Sequence, residues 1–277
     1  MNEKTPKDSH YARLRRQYRD RTGKRAEKTN RLKVDPSPFG AGELRLYGLH
    51  TVAAALQNKK RKLTKLFATK NAFDRLGIDE SKINCPMEIV SPKVLDSLVG
   101  SEAVHQGIVL ETEALKPRSL DELSNTDLVI VLDQVTDPHN VGAIMRSAVA
   151  FNAGALITTN RHSAQETGVL AKAASGALEL IDHITVRNLT EALEELHQAG
   201  FTSFGLDSEG PLPLEPSLKG GHIALVLGAE GKGLRQKTRE TVSVLARLDM
   251  PGAIKSLNVS NAAAISLYAA RNHLDKK

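Results

Sequence analysis

Three short segments of this chain combine turn-forming residues with polar side chains suited to binding and positioning. The first runs Asp133-Gln134-Val135-Thr136-Asp137-Pro138-His139-Asn140-Val141-Gly142 and reaches Arg146 six residues after Asn140. An asparagine amide both donates and accepts, and a guanidinium offers a planar fork of donors to phosphate or carboxylate oxygens. Asn140 stands where a helix N-cap belongs. At 3.6 residues per turn, Asn140 and Arg146 lie roughly 240° apart around the helix axis. They approach one site only if Asn140 leaves that axis as a cap; otherwise this is an ordinary capped helix with a surface arginine. The second segment is Leu227-Gly228-Ala229-Glu230-Gly231-Lys232-Gly233. Its glycines let backbone approach a ligand closely. The order is neither the dinucleotide fingerprint nor a phosphate-binding Walker loop. Glu230 suits ribose hydroxyls or a cation, or stands as a solvated carboxylate in a tight turn. The third is Leu248-Asp249-Met250-Pro251-Gly252, followed by Ser256-Leu257-Asn258-Val259. There Ser256 or Asn258 can cap a final alanine-rich helix.

Each segment follows a run with the pattern of a strand. Residues 127–133 (DLVIVLD) are a continuous apolar run, expected of a strand buried on both faces. Further strands are expected at 155–159, 184–186, 201–206, 223–227 and 242–248. Helices are expected at 140–152, 165–174, 190–199, 234–240 and 257–272. Alternation of this kind implies a mostly parallel sheet covered on both faces. In such sheets ligands gather at the carboxyl ends of the strands. Upstream lies a smaller α/β unit, residues 43–112. It has a helix at 47–57, strands at 65–69, 87–90 and 107–112, and a helix at 93–98 opened by Ser91-Pro92. Polar residues 113–126, with Pro117, read as a linker to a C-terminal domain at 127–277.

The chain carries a formal charge of +6. Residues 1–33 hold 12 Lys and Arg against 4 Asp and Glu. The basic excess is therefore concentrated in the first 40 residues, which read as a disordered tail and suggest a polyanion partner. Nothing resembles a secretory signal or a membrane span. The single cysteine, Cys85, excludes an internal disulfide and fits a reducing cytoplasm. The histidines lack metal-ligand spacing, so no metal is expected. Tyr and Phe are few and Trp is absent, which argues against a broad base-stacking platform.

Taken together, the three segments resemble the TrmH (SpoU) branch of the SPOUT methyltransferases. The pattern D-P-x-N-x-G-x-x-x-R is present as Asp137, Pro138, Asn140, Gly142 and Arg146; G-x-E-G-x-G as Gly228–Gly233; and S-L-N-V as Ser256–Val259. All three occur in order, each after an expected strand. Ser175-Gly176-Ala177 also looks like a family feature. Upstream, Leu46-Tyr47-Gly48-Leu49-His50 and His105-Gln106-Gly107-Ile108 resemble the small substrate-binding domain of the bacterial large-subunit rRNA guanosine 2′-O-methyltransferases, a domain similar to RNA-binding ribosomal proteins. One departure is Leu248-Asp249, where the family usually has Ile-Pro.

The resemblance implies an α/β fold with a knotted C-terminal domain, and a homodimer with sites at the subunit interface. It also implies methyl transfer from S-adenosylmethionine to a ribose 2′-hydroxyl of RNA, rRNA before tRNA. A non-catalytic RNA-binding or ribosome-assembly factor is the alternative of another class. By the same resemblance Arg146 is the central catalytic residue, with Asn140, Glu230, Ser256 and Asn258 around it. Gly228, Leu248 and Leu257, with Leu227, Gly231 and Met250, would hold the methyl donor. A guanidinium with a pKa above about 12 is a poor base. Arg146 is better suited to donate hydrogen bonds to phosphate and to the developing 2′-oxyanion.

Overall fold

The computed structural model describes residues 44–276. The basic tail therefore lies outside the described residues. The first unit is a four-stranded sheet in the order β1-β4-β2-β3. Its strands are β1 (Leu44–Tyr47), β2 (Leu63–Ala68), β3 (Met87–Ile89) and β4 (Ile108–Thr112), with helices α1 (Leu49–Gln57), α2 (Lys70–Leu76) and α3 (Pro92–Val99). Sequence periodicity missed β1 and α2. The expected helix at 47–57 begins two residues later, because Tyr47 still pairs with Val109 in the sheet.

The second unit is a seven-stranded sheet, β7-β6-β5-β10-β8-β11-β9, whose described neighbours all pair parallel. Its strands are β5 (Leu128–Asp133), β6 (Ala155–Thr159), β7 (Asp182–Val186), β8 (Thr202–Leu206), β9 (Leu212–Pro213), β10 (Ile223–Gly228) and β11 (Val244–Arg247). The helices are α4 (Pro138–Ala150), α5 (Gly168–Ala174), α6 (Leu189–Gln198), α7 (Leu214–Ser217), α8 (Gln236–Thr241) and α9 (Val259–Leu274). Side chains alternate along a strand, so a doubly covered strand must be apolar throughout. Strand β5 does this: Leu128, Ile130 and Leu132 join one buried cluster, while Val129 and Val131 join the other. Strand β10 splits in the same way, with Ile223, Leu225 and Leu227 on one face and Ala224 and Val226 on the other. Helices α4, α5 and α9 cover the first face; α6 covers the second.

The two sheets share one core. Leu46, Leu66 and Leu110 of the small sheet belong to the same buried cluster as Leu128, Ile144 and Leu170. The described residues 44–276 accordingly fall in one compact unit. The segment 113–126 is docked rather than free. Arg118 N donates to His183 O at 3.0 Å, Thr185 N donates to Arg118 O at 3.1 Å, and the Arg118 guanidinium pairs with Asp182. Polar groups pin the junction. The Arg61 side chain is fully buried and meets Glu179 at 2.6 Å and Glu166 at 2.7 Å. Asn58 Nδ2 also donates to Glu179 at 2.7 Å, and Thr51 Oγ1 donates to Ala171 O at 3.2 Å.

One guanidinium thus faces two buried carboxylates. Burial pushes the Glu166 carboxyl above its ordinary value, against the pull of Arg61. Arg61→Ala would leave both carboxylates uncompensated, so a loss of about 3–5 kcal/mol is expected in chemical denaturation. Because the folded-state value of Glu166 is raised, its contribution to stability is present below the unfolded-state pKa and is lost as pH rises through the folded-state one. Thermal melts of the wild type minus those of Glu166→Gln should show that loss above pH ~4.5; a pH-independent difference would contradict it.

Candidate active site

The carboxyl ends of β5, β8, β10 and β11 converge on one edge of the large sheet. Gly228 closes β10 in register with Asp133, which closes β5. Beyond Asp133 the chain turns into α4, but Asn140 is not its cap. Asp137 is, accepting from His139 N at 3.0 Å, with Pro138 at the first helical position. The pre-organised φ of proline and the short carboxylate of Asp137 move the cap three residues ahead of the expected one. Asn140 therefore sits inside the first turn, 8% exposed. Gly142 has a packing role: a Cβ there would stand 2.5 Å from Leu170 O and 2.6 Å from the Ala173 Cβ. The glycine lets α4 and α5 touch along their backbones.

The three segments singled out in the sequence meet in one hydrogen-bonded cluster. Glu230 Oε1 accepts from Asn258 Nδ2 at 2.7 Å, Asn140 Nδ2 at 3.1 Å and Val259 N at 3.3 Å. Asn258 Nδ2 also donates to Asn140 Oδ1 at 2.9 Å. Asn258 caps α9 at the same time, accepting from Ser260 N at 2.9 Å. Of the two candidate caps, Asn258 is the one used, and Ser256 stays in the exposed stretch before it. The carboxylate of Glu230 also lies at the N-terminus of α9, where the helix dipole favours negative charge.

Beside this cluster lies a cleft of about 510 Å³, within the range of small-molecule sites of roughly 300–1,000 Å³. Leu227, Gly228, Gly231, Leu248, Met250 and Leu257 all line it, as do Glu230 and Ser256. The floor is backbone. At Gly228 a Cβ would stand 2.1 Å from Gly233 C, because the loop folds back so that Gly233 N donates to Ala229 O at 2.8 Å. A close-packed glycine cradle with apolar walls suits the adenosine of S-adenosylmethionine, so these residues fit the expected donor. Sequence reading missed the contribution of the β8 loop: Asp207, Ser208 and Glu209 line the cleft, and Asp207 pairs with Arg239. The signal was available, since Asp-Ser-Glu-Gly follows β8 at the same sheet edge. Asp249 is accounted for, because Arg247 Nε donates to it at 2.9 Å.

Arg146 is exposed, and its side chain makes no hydrogen bond or ion pair with the described residues. Asn140, buried, and Arg146, exposed, thus occupy different faces of α4, as the helical count allowed. Among the described residues no group of three His, Cys, Asp or Glu side chains comes together as a metal site. No described helix is long and apolar enough to cross a membrane.

Comparison with known proteins agrees with this geometry. Residues 127–268 match the SpoU rRNA Methylase family. A protein of Ralstonia nicotianae named 23S rRNA (guanosine-2′-O-)-methyltransferase RlmB is 38% identical over 234 residues, which is 81% of this chain and 94% of that protein. This chain belongs to the SpoU rRNA methylase family. The family membership extends upstream, where residues 45–118 match the RNA 2′-O ribose methyltransferase substrate-binding family. The RlmB of Pseudomonas putida is 34% identical over 237 residues, 82% of this chain and 95% of that protein. Among solved structures, the SpoU methyltransferase AviRb from Streptomyces viridochromogenes in complex with AdoMet has a TM-score of 0.70 at 23% identity, covering 84% of this chain and 90% of that one. The AdoMet-bound rRNA methyltransferase from Sinorhizobium meliloti has a TM-score of 0.70 at 21% identity, covering 94% and 91%. These likenesses establish the SpoU methyltransferase fold.

The cleft geometry makes a direct test possible. Gly228→Ala should abolish S-adenosylmethionine binding in calorimetry, because the added methyl collides with the folded-back loop. Asn258→Ala removes the α9 cap and two bonds of the cluster, with an expected stability loss of about 1–2 kcal/mol. Donor affinity unchanged in Gly228→Ala would place the donor elsewhere.

Proposed function

We propose that this chain methylates a ribose 2′-hydroxyl of a guanosine in 23S rRNA, with S-adenosylmethionine as donor. The observation that carries this reading is the meeting of the three family segments in one hydrogen-bonded cluster beside one cleft. It is joined by similarity to RlmB proteins over nearly their whole length. The tRNA and binding-only alternatives lose ground to those relatives, which are all named for 23S rRNA guanosine.

When bound, S-adenosylmethionine supplies an electrophilic methyl group. The backbone of the β10 and β11 loops, with Leu227, Gly228, Gly231, Leu248, Met250 and Leu257, would hold the donor. Asn140, Glu230 and Asn258 fix the relative positions of the three loops, and Ser256 faces the same cleft. Such fixing is the source of proximity effects, since a fixed nucleophile and acceptor need little further ordering. Arg146 does not line this chain's own cleft, so it would grip RNA phosphate and the oxygen that develops negative charge from across the subunit interface that the family resemblance implies. It is free to do so because no described acid neutralises it.

We further propose a homodimer. Ile265 and Tyr268 lie one turn apart on α9, 45% and 56% exposed. An apolar face of this kind needs a cover, and a second copy of the chain would supply it. The family also carries the expectation of a knotted C-terminal chain, a 43–112 substrate-binding domain and cytoplasmic work on ribosomal RNA.

Transfer of labelled methyl to unmodified 23S rRNA, 16S rRNA and tRNA tests the activity. Label is expected in a 23S ribose, and label confined to tRNA would overturn the assignment. Arg146→Ala should remove activity with donor affinity intact. Arg146→Lys should lower kcat by about 10-fold or more, since an ammonium lacks the bidentate fork; near-full turnover would refute that role. Light scattering should give twice the chain mass, and Tyr268→Glu should shift it toward one.

A further inference from the structure

A second concave site lies on the same sheet edge, apart from the donor cleft. It has a volume of about 580 Å³ and is built by the ends of β5, β6 and β7. Gln134 follows β5, Arg161 and His162 follow β6, Arg187 follows β7, and Arg235 comes from the loop after β10. The sheet order β7-β6-β5-β10 sets these contributions side by side. Adjacent strands are about 4.8 Å apart, so the site begins roughly one strand width from Gly228 and extends about 10 Å further.

Its electrostatics point to an anion. No carboxylate lines the cavity among the described residues, while three arginines and a histidine do. Arg161 and Arg187 are exposed, and neither guanidinium has an acid partner among the described residues. Arg235 is held differently. The buried Asp133 accepts from Arg235 Nε at 2.6 Å and from Arg235 N at 3.0 Å. That grip aims the side chain and leaves both terminal nitrogens without a protein acceptor among the described residues, so they are available as a fork. The turn carrying Arg161 is also fixed: Thr159 Oγ1 donates to Arg161 O at 2.6 Å, and Asn160 N donates to Val186 O at 2.9 Å. A surface-solubility role would not require an arginine anchored by a fully buried aspartate.

We propose that this pocket is a phosphodiester clamp for the RNA strand flanking the target nucleotide. Arg161 and Arg187 grip successive phosphates, and Arg235 is pre-aimed by Asp133. The proposal rests on the reading of the chain as an RNA methyltransferase. It adds a binding site that is separate from Arg146, from the donor cleft and from the small sheet.

The test measures binding of an unmodified 23S rRNA fragment to the full chain from 0.05 to 0.3 M salt, alongside methyl transfer. Arg161→Ala/Arg187→Ala is compared with the wild type and with a charge-matched Lys237→Ala/Lys276→Ala control. The expected result is a log–log salt slope smaller by about 1.4, since each lost single-strand phosphate contact removes about 0.7. RNA KM should rise about tenfold with kcat and donor affinity held. Arg161→Lys/Arg187→Lys should restore most of the slope. An unchanged slope and KM, or an equal loss in the control, overturns the clamp. So does displacement of the RNA by millimolar inorganic phosphate, which marks an isolated anion site. A wild-type chain that binds RNA with the Arg161- and Arg187-dependent slope but transfers no methyl would sink the functional reading and leave the clamp standing.

Discussion

One carboxylate oxygen holds three distant parts of the chain together. Glu230 Oε1 accepts from Asn140, Asn258 and the backbone of Val259. These donors come from the first turn of α4 and from the start of α9, and Glu230 itself comes from the loop after β10. Charge-assisted bonds are stronger than neutral ones, and each of these spans a long stretch of sequence. The cleft exists because its walls belong to loops tied at that point. Asn258 serves two ends of this arrangement, capping α9 through Oδ1 and bridging Asn140 and Glu230 through Nδ2.

Much of this was legible in the amino-acid order. The seven-residue apolar run at 127–133 announced a doubly covered strand, and the structure divides its side chains between two cores. The glycines around Glu230 announced a close backbone approach, realised where Gly228 meets Gly233. Every residue expected to hold the methyl donor lines one cleft. The helix count for Asn140 and Arg146 was also sound, since one is buried and the other exposed.

What stayed hidden depended on tertiary contacts or on weak local signals. Asn140 looked like a cap because asparagine favours that position, yet Asp137-Pro138 offers a stronger start. Helix α2 has one fully buried side chain, Ala72, so its periodicity was faint, although Thr69 caps it. The residues 113–126 have a linker's composition, but backbone bonds of Arg118 to β7 bind them down. The pairing of Arg61 with Glu166 and Glu179 joins residues more than a hundred positions apart, which no local pattern foretells.

That buried trio has a mechanical meaning. A head that swung on a tether would let the enzyme adapt its span to many RNAs. Here the small sheet shares a core with the catalytic sheet and is clamped by a guanidinium that has no access to water. The small sheet and the catalytic sheet are thereby built as one body. A target RNA that touches both sheets must then fit them as one surface, so its folded shape counts as well as its charge.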